Sequence, residues 1–167
     1  MPTPRELGRF RARAHAPYAR HVTGHARGTT DELIAWAAWK WGVDEDLVRA
    51  VARVESDWRQ GFVGDDGRSY GIMQIKRTAA LDDQGWPGTY PLSRESTAFN
   101  LDFWGRAFRS CYDGRDTFLR REGVGYGPGD VWGCVGLWNS GRWHDRTADA
   151  YIARVQRILA TRGWPRG

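Results

Sequence analysis

The sequence predicts a mainly α-helical protein built as one compact domain. Three observations carry that prediction: apolar residues recur at three- and four-residue spacing in several segments, those segments are bracketed by helix caps, and 167 residues with 41% apolar content suffice for one real core. Ten Trp, six Tyr and six Phe argue against a disordered chain, and no apolar run approaches the ~20 residues that span a bilayer.

The first helix is expected from Thr29, where Thr29-Thr30-Asp31-Glu32 forms a capping box. Leu33, Ala37 and Trp41, with Ile34 and Ala38, supply its stripe, and Gly42 its stop. Asp44 or Asp46 caps a second helix whose apolar positions are Leu47, Val48, Val51, Val54 and Trp58. Residues 61–91 are rich in Gly, Asp and Pro, with Gly61, Gly64, Gly67, Gly71, Gly85 and Gly88 marking a loop region that holds a short hairpin around 64–75. A third helix is expected over 95–111, a shorter Gly-containing one after Asp130, and a last one over 147–162 ending at Gly163.

The net charge of +5 is confined to one end of the chain. Residues 1–28 hold Arg5, Arg9, Arg11, Arg13, Arg20 and Arg27 against Glu6 alone, and the other residues balance. This segment is expected to be a basic, flexible arm ahead of a domain over 29–167. A charge run is by itself weak evidence of recognition, so nucleic acid is not an expected partner. Cys111 and Cys134 allow a single disulfide, and two buried free thiols fit the sequence equally well. Neither the cysteines nor the four histidines, His21 and His25 included, sit in a zinc-binding pattern, so no metal or cofactor is expected. Residues 1–30 contain no apolar core of a signal peptide.

The candidate for chemistry is Glu55. It follows Val51 by four and Val48 by seven, which sets its carboxyl at the edge of an apolar stripe. There its ionised form is disfavoured, its pKa rises, and it is able to act as a general acid. Periodicity alone also fits a solvent-facing glutamate at the end of the stripe. Beyond it come Ser56, a Gly-rich loop, Tyr70-Gly71-Ile72-Met73-Gln74-Ile75, then Trp138-Asn139-Ser140-Gly141 and Tyr151. In that order, these motifs resemble the lysozyme-like domain of soluble lytic transglycosylases (SLT) and goose-type lysozymes, over roughly 29–162. Ile72 stands where the family has Leu, and Trp138 where it has Tyr.

The resemblance implies a peptidoglycan substrate, cut between N-acetylmuramic acid and N-acetylglucosamine, with Glu55 as the acid. In the lytic branch the same residue then acts as base, and the product carries a 1,6-anhydromuramoyl end. In the goose-type branch the sugar bond is hydrolysed with inversion, and Asp65 of Gly64-Asp65-Asp66-Gly67 matches a proposed water-positioning carboxylate. Lys76 stands where goose-type enzymes often have Asp, which favours the lytic branch. The same pair, Asp65 and Asp66, also fits an ordinary polar turn. Ser56, Asp66, Tyr70, Gly71, Met73, Gln74, Trp138, Asn139 and Tyr151 are the expected substrate-binding residues. For Gln74 and Asn139 a buried structural amide is the competing role, and for Met73 and Tyr70 core packing.

Among the tryptophans, Trp86, Trp132, Trp138 and Trp143 are expected to line a glycan groove, and Trp36, Trp39, Trp41 and Trp104 to pack inside or at helix junctions. The expected protein is an extracytoplasmic monomer, with either a leader already trimmed from the chain or export by another route. Alternatives are hydrolysis, as a muramidase or chitinase of the same fold, and a glycan-binding module without turnover.

Overall fold

The computed structural model describes residues 1–14, 16–77 and 86–165. Gly85 and the part of the 61–91 loop over 78–85 lie outside the described residues, as do residues 166–167 of the expected domain. The architecture is mainly helical with one small antiparallel sheet: α1 (Pro4–Arg13), α2 (Thr30–Trp41), α3 (Glu45–Ser56), strands β1 (Val63–Gly64), β2 (Ser69–Tyr70) and β3 (Ile75–Lys76), then α4 (Leu92–Glu95), α5 (Thr97–Tyr112), α6 (Thr117–Arg121), α7 (Val131–Ser140) and α8 (Arg146–Thr161). The strands lie in the order β1-β2-β3, with Val63 opposite Tyr70 and Tyr70 opposite Ile75.

The caps act where the sequence places them. Thr29 and Glu32 exchange capping-box hydrogen bonds at the start of α2, and Gly42 ends that helix in the left-handed conformation. Asp44, rather than Asp46, caps α3 by accepting from the Leu47 backbone N–H. Asp57 closes α3 at positive φ, so Trp58 falls beyond the helix rather than on its stripe. The helix expected over 95–111 is α5, starting two residues later, because Ser96 takes an extended conformation that separates it from the short α4 and its hydroxyl caps α5 by accepting from the Phe99 N–H. Arg162, rather than Gly163, is the left-handed residue that ends α8.

Helix α5 is the axis of the core, buried on almost every side. Helix α2 crosses it at Gly105, where any Cβ would overlap the Trp41 indole. Helices α2, α3 and α8 pack in sequence, and α7 lies between α5 and α8. The Cys111–Cys134 disulfide is formed and ties α5 to α7.

The basic segment is folded against the domain and is not a loose arm. A Thr3–Glu6 capping box with Pro4 in the first turn starts α1, whose Leu7 and Phe10 enter a second apolar cluster with Val22, Trp41, Phe99 and Phe103. Residues 23–24 are pinned by the fully buried Asp102 of α5. Its carboxylate accepts from the Thr23 and Gly24 backbone N–H groups at 2.8 and 2.9 Å, from Trp41 Nε1 at 2.7 Å and from Lys40 Nζ at 2.7 Å. The arginines of α1 lie on its solvent side, which is why charge alone gives the segment a looser look than it has. Among the described residues no helix is long and apolar enough to cross a membrane.

Candidate active site

Helix α3 delivers Glu55 to the floor of a cleft of about 390 Å³, bounded by the small sheet on one side and by α7 and α8 on the other. Val54, Phe62, Gly64, Asp65, Ser69, Gln74, Lys76, Trp86, Trp138, Asn139, Tyr151 and Arg154 complete the described lining. A second recess of about 560 Å³ shares Lys76, Trp86, Trp138 and Asn139 with it and continues along α7 toward Arg142 and Thr147. The two recesses adjoin through these four shared residues.

Glu55 is half-buried, with the rest of the α3 stripe in the core beneath it. Loss of hydration raises its pKa from 4.5 to about 7. Two neighbours oppose that rise, the Tyr151 hydroxyl by hydrogen bonding and the Arg154 guanidinium by its charge, while the Asp65 carboxylate adds to it. Tyr151, on α8, donates to Glu55 Oε1 at 2.5 Å. Burial, and then the adjacent carboxyl, push the Tyr151 phenol well above its ordinary pKa, so it stays a donor. One carboxyl oxygen is thereby occupied, and the other is left to exchange a proton with whatever lies in the cleft.

The loop after α3 is held from behind. Ser56 is buried, and its hydroxyl donates to the Ile72 carbonyl at 2.9 Å while accepting from the Arg59 N–H. Asn100 of α5, fully buried, accepts from the Met73 N–H at 2.8 Å and donates to the Tyr70 and Ser93 carbonyls. Gly71 sits at φ +83°, where a Cβ would collide with the Asn100 amide and the Ser93 carbonyl. Gly71→Ala is therefore expected to cost at least about 2 kcal/mol in denaturant unfolding, with activity falling as the loop is displaced.

The expected binding residues divide accordingly. Gln74, Trp138, Asn139, Tyr151 and Asp65 reach the cleft. Gln74 donates to the Phe62 and Gly71 carbonyls, so it also fixes the loop. Trp138 Nε1 donates to the Met73 carbonyl, and its ring stacks on Trp86 with centroids 6.0 Å apart. Asn139 is exposed in the wall. Asp65 is held by the Ser69 hydroxyl, which donates to its Oδ2 at 2.6 Å. Ser56, Asp66, Tyr70, Gly71 and Met73 do not line it. Met73 is fully buried in the core, Tyr70 turns its hydroxyl to the Gly67 carbonyl, Ser56 and Gly71 brace the backbone, and Asp66 occupies the exposed turn. Trp132 and Trp143 also fall outside the cleft: both pack on the main core, Trp143 edge-on against Tyr126. Trp39, expected at a packed junction, is 84% exposed.

Sequence reasoning misses Arg154 and Phe62 as cleft residues and does not see the bracing role of Asn100. A basic residue three positions after Tyr151 on α8 was the available signal for Arg154, since that spacing keeps both on one face.

Residues 32–91 match the family model for the Transglycosylase SLT domain, the family that the motifs resemble. Its members are of the peptidoglycan-cleaving, lytic transglycosylase type, and the mainly helical architecture agrees with it. The matched segment contains Glu55 and the loop through Gln74, whereas Trp138, Asn139 and Tyr151 lie beyond it. No curated protein and no solved structure matches the chain.

Proposed function

We propose, from an SLT segment whose glutamate faces a polar cleft, that this chain is a lytic transglycosylase cutting the β-1,4 bond between N-acetylmuramic acid and N-acetylglucosamine. The observation that carries the reading is Glu55, half-protonated near pH 7 and oriented by Tyr151. A carboxylic acid in that state gives its proton to the glycosidic oxygen as the bond to C1 breaks. The muramic acid acetamido group shields the cationic centre, as the family resemblance implies. The Glu55 carboxylate then takes the proton from the C6 hydroxyl as its oxygen bonds to C1, which closes the 1,6-anhydro ring and restores the acid. No water is consumed, and one carboxyl serves both steps.

Trp138 and Trp86 present flat apolar faces along the groove, suited to stacking on pyranose rings, and Gln74 and Asn139 offer amides to N-acetyl groups. A disulfide supports an oxidising, extracytoplasmic setting, where peptidoglycan is found.

Hydrolysis is the second reading, favoured by one observation: Asp65 lines the same cleft and is close enough to raise the Glu55 pKa. Asp65→Asn separates the two readings by mass spectrometry of sugar ends released from purified peptidoglycan. The lytic reading expects anhydromuramoyl ends at a rate within about threefold of wild type, because Asp65 has no water to position. Reducing ends from wild type that vanish in Asp65→Asn would make the enzyme a muramidase.

A further inference from the structure

The Trp86–Trp138 stack is a partition, with a second cavity of about 310 Å³ on its far side, between α5, α6 and α7. Much of its described wall is apolar, with Trp104, Phe108, Leu137 and the Cys111–Cys134 disulfide, and its polar side chains are grouped around α6 and Arg106. Into this setting α5 sends Arg106, only 2% exposed, because a helix buried around its circumference has no solvent face left for it.

The Arg106 guanidinium rests against the Phe103 ring at 4.6 Å and the Trp86 ring at 5.1 Å. Nη1 reaches the Pro17 carbonyl at 3.5 Å, the outer limit of a hydrogen bond. Nε and Nη2 are buried with no partner among the described residues, and so is Trp104 Nε1 in the same wall. Asp116 also lines the cavity, but its Oδ1 accepts from the Ser110 hydroxyl at 2.6 Å, and it acts on Arg106 only through its field. Burial lowers the Arg106 pKa to about 10, so the guanidinium remains charged at neutral pH.

Buried donors almost always have partners, and an unpaired buried charge is costly. The two vacant donors are the side-on edge of the guanidinium, a parallel N–H pair spaced to donate to both oxygens of one carboxylate. Arg115 and Arg121 stand at the rim, so the mouth is cationic. Asp116 disfavours a doubly charged group, and the walls favour an apolar body.

We propose that this cavity binds a small monocarboxylate carried on an apolar body, whose carboxylate draws the Arg106 Nε and Nη2 edge, enclosed in the free protein, into the cavity to pair with it. Trp104 Nε1 is a further donor in the same site. The site is distinct from the Glu55 cleft, with which it shares the Trp86 and Trp138 rings, and it adjoins the recess along α7 through these two and Leu137 and Gly141. The inference does not rest on the glycosidase reading and survives its failure.

Isothermal titration of the intact protein with octanoate, and with octanamide as its uncharged counterpart, tests the site. One equivalent of octanoate is expected to bind, at least tenfold more tightly than octanamide. Arg106→Met is expected to weaken octanoate about 10- to 100-fold and to leave octanamide unchanged. Arg106→Lys, which keeps the charge but not the fork, is expected to fall between, and it carries the test if Arg106→Met does not fold. Acetyl-dialanine, a short peptide with a free carboxylate, distinguishes sources: tighter binding than octanoate identifies a peptide terminus, weaker binding a free aliphatic acid. Equal affinity for octanoate and octanamide, the absence of octanoate binding, or binding indifferent to both substitutions overturns the proposal.

Discussion

Replacing Glu55 with Gln is expected to lower the release of muropeptide ends by about 10²–10⁴-fold, because the amide neither donates the proton nor takes one back. The same substitution is expected to make the protein more stable above pH 7. The sign follows from linkage. A carboxyl whose pKa rises from 4.5 to about 7 on folding binds its proton more tightly in the native state. Stability then falls as pH climbs from about 4.5 to about 7, and the full penalty persists above. At ~1.4 kcal/mol per pKa unit, and allowing for the open side of the cleft, that penalty is about 1–3 kcal/mol at pH 8. Thermal unfolding should therefore show Glu55→Gln melting about 2–10 °C above wild type at pH 8 and level with it near pH 4.5. The wild-type rate should fall about tenfold per unit above pH 7, as the protonated fraction declines. A stability gain with full activity would keep the buried carboxyl and remove it from the chemistry.

The second large effect concerns Asp102. Asp102→Ala leaves Trp41 Nε1 and two backbone N–H groups without their acceptor and removes the carboxylate that pairs with Lys40 Nζ, which keeps the His21 carbonyl, a loss of about 3–5 kcal/mol. Denaturant and thermal unfolding should register it, the latter as a fall of about 6–20 °C. Limited proteolysis should in addition cut residues 1–28 faster than the remainder of the chain. Asp102→Asn preserves shape and some acceptor capacity, and should fall between. Unchanged proteolysis in Asp102→Ala would mean that Leu7 and Phe10 hold the segment without help.

These two residues mark what the sequence makes legible and what it does not. Glu55 stands out because its helix has a sharp apolar stripe with the carboxyl at its edge, and because the motifs that follow it favour that reading over a solvent-facing glutamate, which periodicity alone leaves open. Asp102 and Asn100 belong to α5, which is buried on almost all sides, and there a polar residue breaks no pattern that would flag it. The partners that satisfy them come from residues 23–24, 40–41, 70 and 73, which periodicity does not relate to α5. The segment 1–28 illustrates a different failure. Thr3, Pro4 and Glu6 carried a readable helix start, and Leu7 and Phe10 lie one turn apart, but six arginines outweigh them in any compositional reading. The cleft is likewise half legible: the loop through Gln74 and the aromatic of α7 follow a motif order, while Arg154 and Phe62 arrive there by tertiary packing.

The pairing of Glu55 with Tyr151 has a further meaning in the order of synthesis. The two residues are 96 positions apart, and the phenol stands on the last helix. At roughly 5–20 residues per second, a ribosome adds Tyr151 about 5–20 s after Glu55. Until α8 docks on α3, the glutamate lies in water, with an ordinary carboxylate pKa and no cleft around it. On the proposed function, a nascent or truncated chain without α8 is expected to be inactive, and the capacity to act on a sugar bond to appear only when the final helix closes the fold.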